Sequence, residues 1–299
     1  MPFTQHTVAA ACAFEGKGLH TGVYTHMQVL PAPADAGIRF RRTDLPGAPE
    51  IAALAENVTS TARSTTVASD GAEAVTIEHI MSALTGLGID NAVIELDNKE
   101  VPILDGSALP YVRSLKPLDQ GVPRRFINLP YALEVKDPVS GGYVRIEPAA
   151  APRASVTSDF GSKVLGVQTA RWDLSTDYAG EIGPCRTFCF FHEIEPLLQG
   201  GLIKGGDVDN AIVVVEHPVT ETQLSGLARL MGKDRLDVKG GYLSNLELRF
   251  PDECGRHKLL DLLGDLRLAG GWLNAEISAY KAGHTINTKA AKALRALLK

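Results

Sequence analysis

Two hydrophobic periods alternate along the chain, and the places where one gives way to the other mark the predicted elements. Tyr24 to Leu30 mixes β-branched and aromatic residues, Pro31-Ala-Pro33 interrupts it, and Gly37-Ile-Arg-Phe40 resumes the alternation of a half-buried strand. A small-apolar run from Val8 to Ala13 reads as the edge of a first strand. Between Thr76 and Gly88 the pattern turns helical, with Ile77, Ile80, Met81, Leu84 and Leu87 at three- and four-residue steps. Gly86 and Gly88 end that helix, and Asn91 to Leu96 reads as a strand. Val101 to Ser107 is a turn-rich loop, followed by a short apolar helix around Leu109 to Leu115. Gly121-Val-Pro-Arg-Arg125 has the composition of a linker. Beyond it, strands are predicted at Tyr131–Val135, Gly142–Ile146 and Ala154–Phe160, a helix at Phe190–Gln199 and a strand at Asn210–Val215. A last helix spans about Asp252 to Leu268, ahead of a strand from Leu273 to Tyr280.

The order of events in the second half repeats that of the first. When His79 is aligned with His257, Met81 meets Leu259, Leu84 meets Leu262, and Gly86 meets Gly264. In both halves the helix leads through glycine into an alternating strand. This predicts an α+β fold of two similar domains, 1–122 and 123–299, each a helix layer packed on a β-sheet. Ligand sites favour the seam between such domains, where the two histidines would converge.

The 299 residues fit two domains at roughly 150 residues each. Hydrophobic residues at 44% and charged residues at 22% supply full cores and an ordinary surface. A net charge of -5 and the lack of any dense Lys/Arg run argue against nucleic acid as a partner. No apolar stretch approaches the roughly 18 residues of a membrane span, so no stable membrane insertion is expected. The N-terminal segment lacks the basic start and apolar run of a secretory signal. Cys12, Cys185, Cys189 and Cys254 form no C-x-x-C pair, which fits free thiols in a reducing cytoplasm.

The densest chemistry lies in Arg256-His257-Lys258-Leu-Leu-Asp261-Leu-Leu-Gly-Asp265-Leu. At about 100° per residue, His257, Lys258, Asp261 and Asp265 share one helix face. His and Asp four apart can hold one metal ion, although an amphipathic helix with its polar face in water would look the same. Glu78-His79 sits inside the other apolar helix. There His79 is either a third ligand, with Glu78 left free beside an open metal position, or a satisfied core histidine with a surface glutamate. Two histidines, one carboxylate and water make a recognised catalytic zinc set, and a neighbouring Glu is suited to take a proton from that water. His284, just after the last predicted strand, reads as a loop residue. It is either a general acid oriented by Asp265 or an ordinary surface histidine. Gly183-Pro-Cys-Arg186-Thr187-Phe188 precedes an apolar helix with Phe190, Phe191, Ile194, Leu197 and Leu198, and the glycine turn from Gly200 to Gly206 follows it. That helix is either plain core or the wall of a passage suited to an acyl chain. Gly16-Lys-Gly-Leu-His20-Thr-Gly22 lacks the spacing of a nucleotide triphosphate loop.

Taken together, the chain resembles the UDP-3-O-acyl-N-acetylglucosamine deacetylase family of lipid A biosynthesis. The resemblance runs in order through Gly16–Gly22, Arg41-Arg-Thr-Asp44, Thr76-Ile-Glu-His79, Gly86-Leu-Gly-Ile-Asp-Asn91 and Val101-Pro-Ile-Leu-Asp-Gly-Ser107. It continues through Arg186-Thr-Phe188, Arg256-His-Lys-Leu-Leu-Asp261, Gly264-Asp265 and Gly283-His284. It implies a Zn2+ cofactor on His79, His257 and Asp261, and a UDP-linked acylated amino sugar as substrate. Glu78 would be the general base, and His284 the acid for the leaving amine, with Asp265 setting its charge. Thr187 would stabilise the oxyanion, and Lys258 would hold substrate and charge. Phe188 would line the acyl passage and Phe160 would pack against uridine, with Lys204 and His20 as further substrate contacts. Asp159-Phe-Gly-Ser-Lys163 lacks the His-Pro that often follows this Asp-Phe. Ser64-Thr-Thr66 has no cysteine where some relatives carry one. Both departures lie outside the ligand set.

Overall fold

The period-two segments build two sheets of one design. In the computed structural model, which describes residues 3–199, 204–244 and 246–297, the first half begins with β1 (Thr4–Val8), β2 (Cys12–Lys17), β3 (Tyr24–Pro31), β4 (Ile38–Arg42) and β5 (Glu50–Ala52). A small sheet of β6 (Val58–Ser60), β7 (Thr66–Ser69) and β8 (Ala72–Ala74) follows, then α1 (Glu78–Gly86), β9 (Ala92–Leu96), α2 (Leu109–Ser114) and β10 (Pro117–Pro123). The second half has β11 (Phe126–Asn128), β12 (Leu133–Lys136), β13 (Tyr143–Pro148), β14 (Arg153–Asp159) and β15 (Val167–Asp173). Next come α3 (Tyr178–Glu181), β16 (Phe188–Phe190), α4 (Phe191–Gln199), β17 (Ile212–Val214), α5 (Glu221–Leu230), β18 (Val238–Lys239) and β19 (Tyr242–Leu243). It closes with α6 (Glu253–Leu266), β20 (Trp272–Tyr280) and α7 (His284–Leu297). Among the described residues no helix is long and apolar enough to cross a membrane.

Strand order makes the internal repeat explicit. One sheet runs β2-β3-β9-β4-β5 and the other β12-β13-β20-β14-β15, with β11 added beside β20. In each, the strand that follows the histidine helix is central, antiparallel to one neighbour (β3 or β13) and parallel to the other (β4 or β14). Each half also carries its extra sheet at the same place, just before that helix: β6–β8 ahead of α1, and β16–β19 with α4 and α5 ahead of α6.

The two helices lie against each other in one continuous core that draws Met27, Phe40 and Ile94 from the first sheet and Val144, Val156 and Ile277 from the second. Their approach is set by Gly264, where a Cβ would stand 2.2 Å from the Glu78 carbonyl oxygen. Gly86, its partner in the repeat, has a different task, since a Cβ there would run into the ring of Tyr178. Asp90, just past α1, ties the halves together: it accepts from Arg124 Nε at 2.9 Å and from Trp272 Nε1 at 2.8 Å. The Arg124 and Arg267 guanidiniums stand 4.7 and 4.9 Å from the Trp272 ring.

Several expectations change. His284 is the first residue of α7 and not a loop residue, and the helix ending near Leu268 is not the last. Two of the four apolar positions that bury α7, Ala290 and Ala291, are small, and Asn287 and Thr288 are buried beside Ile286 and Leu294, which blurs the apolar stripe. Ala9, Ala10 and Ala11 are an exposed turn, because β1 stops at Val8 to pair with β10. That pairing also takes Gly121-Val-Pro123 out of the predicted linker and into a strand. Thr76 stands outside α1 at φ 60°, with its hydroxyl on Glu100 Oε1 at 2.8 Å. Phe190 ends β16, and α4 starts one residue later. Of the glycine turn from Gly200 to Gly206, residues 200–203 lie outside the described residues.

Candidate metal centre and acid–base pair

The polar face of α6 is turned onto α1 and not onto water: His257, Asp261 and Asp265 are each only 1% exposed. This removes the reading of a solvated helix face. One turn of helix brings His257 Nε2 to 3.4 Å from Asp261 Oδ1, and His79 Nε2, arriving from α1, stands 4.0 Å from the same oxygen. The three donor atoms all lie within 4.8 Å of one another. Asp261 Oδ1 has no hydrogen-bond donor among the described residues, a costly state for a buried carboxylate oxygen unless a cation meets it.

Protonation favours the same reading. His257 Nδ1 donates to the Cys185 carbonyl at 3.0 Å, so its Nε2 is the bare nitrogen facing Asp261. Burial, reinforced by His257, lowers His79 to about 3, and burial also lowers His257, so both imidazoles are neutral donors. Burial opposes ionisation of Asp261, but His257 and Lys258 outweigh it and hold the carboxyl low. Lys258 Nζ donates to the other oxygen, Asp261 Oδ2, at 2.6 Å. Two neutral imidazoles and a carboxylate with one free oxygen form a donor set suited to a divalent transition metal.

Beside this set lies a second pair. Glu78 Oε1 is 3.9 Å from His284 Nε2, and Glu78 Oε2 accepts the Thr65 N–H at 3.0 Å. Burial pushes the Glu78 carboxyl up to about 7, with His284 opposing and the Asp265 and Asp261 charges adding to the rise. His284 Nδ1 donates to Asp265 Oδ2 at 2.9 Å, and although burial alone would lower it, Asp265 and Glu78 carry the ring up to about 9. Asp265 is itself fixed by the Thr65 hydroxyl at 2.6 Å and by Asn287 Nδ2 at 3.0 Å. The result is a carboxyl that gives up its proton near neutrality, facing an imidazolium that keeps its own.

Thr187 is held by its N–H on the Gly106 carbonyl at 2.8 Å and by Ile212 N–H on its own carbonyl at 2.9 Å. Its neighbour Arg186 makes a buried ion pair with Glu253 at 2.8 Å, which fastens the start of β16 to the first turn of α6. Phe188 packs edge-on against His257, with ring centroids 6.4 Å apart, and Lys258 Nζ stands 5.4 Å from its centroid. Phe160, still 45% exposed, meets Phe188 edge-on at 5.4 Å, so this aromatic cluster reaches from the histidine set to the surface. A mainly apolar cavity opens alongside, walled by Phe188, Ile194, Leu197, Val208 and Val213, with Thr187, His20 and Arg63 at its polar side. His20 is buried, its N–H on Glu100 Oε1 at 2.9 Å. Lys204 is exposed and joins this group only through its backbone N–H on the His20 carbonyl at 3.2 Å.

Thr65, Asn287 and the Cys185 carbonyl orient the site residues, and the sequence pattern assigns none of them that task. Asn287 had a usable signal, three residues after His284 on what proves to be one helix. A backbone carbonyl carries no side-chain signature, and Thr65 meets Glu78 and Asp265 only through the tertiary fold.

A family model described as UDP-3-O-acyl N-acetylglycosamine deacetylase matches residues 5–228 and 235–296. The chain is 42% identical to a bifunctional enzyme LpxC/FabZ of Porphyromonas gingivalis, over 99% of this chain and 65% of that protein, so it spans just under two thirds of that relative's length. It is 39% identical to a UDP-3-O-acyl-N-acetylglucosamine deacetylase of Trichormus variabilis, covering 98% of this chain and 99% of the relative. A protein of the same name from Saccharophagus degradans is 41% identical over 95% of this chain and 88% of its own.

Proposed function

The chain belongs to the UDP-3-O-acyl N-acetylglycosamine deacetylase family, and from that premise we propose that it hydrolyses the N-acetyl group of a UDP-3-O-(3-hydroxyacyl)-N-acetylglucosamine. The products are acetate and the free amine, the reaction belongs to lipid A biosynthesis, and the cytoplasm is its proposed location. The observation that carries this reading is the buried His79–His257–Asp261 set, with one unpaired carboxylate oxygen, directly beside the Glu78–His284 pair.

His79, His257 and Asp261 would hold Zn2+, which would supply Lewis-acid polarisation of the amide carbonyl and lower the pKa of water. Glu78 lies outside the ligand set and takes the proton of the attacking water. The Thr187 hydroxyl donates to the developing oxyanion, and Lys258 adds positive charge at the same edge. His284, kept protonated by Asp265, donates its Nε2 proton to the departing sugar nitrogen, which makes the amine a competent leaving group. The acyl chain occupies the apolar cavity behind Phe188, and Phe160 offers an exposed ring for the uracil. His20 and Lys204, joined through their backbones, would be further substrate contacts.

Incubation of metal-replete protein with the UDP-linked substrate is expected to release acetate in step with the free amine, and the absence of acetate would eliminate the reading. The same assay carries a pH prediction. Glu78 must be ionised, so kcat/KM rises as pH passes through about 7. His284 must be protonated, so kcat/KM falls as pH passes through about 9. A profile flat between those values and beyond would contradict this assignment of base and acid.

A further inference from the structure

One short loop reaches both the acid–base pair and the wall of the apolar cavity. Between β6 and β7, residues 61–65 carry four long-range polar contacts, to α7, α4, α1 and α6. The Thr61 hydroxyl meets the Thr285 hydroxyl at 2.8 Å, next to His284 on α7. Arg63 Nη2 donates to Glu193 Oε1 at 2.6 Å, in the first turn of α4. Thr65, fully buried, places its N–H on Glu78 and its hydroxyl on Asp265. Arg63 is at φ 66°, a left-handed conformation that a non-glycine residue keeps only when its surroundings hold it. Glu193 is equally placed: its second oxygen accepts the Phe190 N–H at 3.1 Å, and the next residue, Ile194, walls the apolar cavity together with Leu197 and with Arg63 itself.

We infer that residues 61–65 are a strap tying the wall of the apolar cavity to the acid–base pair, with Thr65 as a positioning residue and the Arg63–Glu193 ion pair as the clasp. An alkyl chain seated against Ile194 and Leu197 presses on α4, and Arg63 passes that restraint two residues along to Thr65, which sets the Glu78 and Asp265 carboxylates. Binding energy from a remote part of the substrate is thereby spent at the reacting amide, where it raises kcat as well as lowering KM. The inference rests on the deacetylase reading for its chemistry, but the contacts that define the strap do not.

The test compares substrates with a long and a truncated acyl chain. In the wild type, truncation is expected to lower kcat as well as raise KM. In Arg63→Ala the KM difference persists, while the kcat difference between the two substrates shrinks by about fivefold, the scale of a partly exposed ion pair. The exchanged pair Arg63→Glu with Glu193→Arg restores it. Thr65→Val keeps the N–H but removes the hydroxyl, and is expected to lower kcat on both substrates roughly tenfold with KM and metal content unchanged. Equal loss of kcat on both substrates in Arg63→Ala, or native kcat in Thr65→Val, would overturn the strap. A second arm needs no turnover: a long-chain 3-hydroxy fatty acid, added as a probe, should slow amide hydrogen exchange at Thr65 in the wild type and not in Arg63→Ala. Unchanged exchange in the wild type would overturn the strap by itself, whereas protection without acetate release would leave the strap standing and remove the deacetylase reading.

Discussion

Glu78→Gln is expected to fold, bind metal and lose nearly all turnover. Glutamine is close to isosteric with glutamate, and its amide oxygen still accepts the Thr65 N–H that now holds Oε2 at 3.0 Å. The three metal donors are untouched, since the set is His79, His257 and Asp261. What disappears is the one carboxylate that gives up its proton near neutrality and faces His284. Loss of a positioned general base costs about 10²–10⁴-fold, so kcat should fall by that factor with metal content at the wild-type level. The rise in activity through about pH 7 should vanish with it. A near-native rate in this variant would show that another group takes the proton.

Gly264→Ala is expected to damage the site without changing any residue in it. A Cβ at this position would stand 2.2 Å from the Glu78 carbonyl oxygen and 3.1 Å from the Ser82 nitrogen, both backbone atoms. Neither can swing aside as a side-chain end would, so α6 must move away from α1. Crowding of this kind in a packed core costs about 1–3 kcal/mol. The functional loss should exceed the loss of stability, because His79 and Glu78 ride on α1 while His257, Asp261 and Asp265 ride on α6. A displacement of about 1 Å between catalytic groups can cost roughly a hundredfold in rate. Gly264→Ala should therefore show weakened metal affinity and a kcat/KM lowered about a hundredfold, with a cooperative melt at reduced temperature. Wild-type affinity and rate would mean that the helix crossing does not set the site.

The parts of this account that were legible in the sequence are those carried by periodicity and by residue type. Ile77, Ile80, Met81 and Leu84 mark α1, and they are all fully buried. The alignment of His79 with His257 anticipated two similar halves, each a helix layer on a sheet; the shared strand order, with each histidine helix feeding the central strand of its own sheet, comes from the structure. The short strands escaped for a physical reason: Val58–Ser60 and Ala72–Ala74 are three residues each, too short to display alternation. By contrast α5 had a readable start, since Thr220 and Gln223 form a capping box. The burial of the α6 polar face was not legible. His257, Asp261 and Asp265 read from the sequence as either metal-holding residues or a solvated stripe, and only the packing of α1 across Gly264 shows that this face is buried. Local sequence likewise gives no sign of the loop from Thr61 to Thr65, whose four partners lie on α4, α7, α1 and α6.

If His79, His257 and Asp261 hold the zinc ion proposed above, amide hydrolysis depends on it. The most direct test is acetate release by chelator-stripped protein, before and after addition of a single equivalent of Zn2+, with His257→Ala treated in parallel. The stripped wild type is expected to be inactive and to recover with Zn2+, while His257→Ala neither retains the metal nor recovers. Full activity in the stripped protein, or wild-type zinc binding and turnover in His257→Ala, would contradict this assignment.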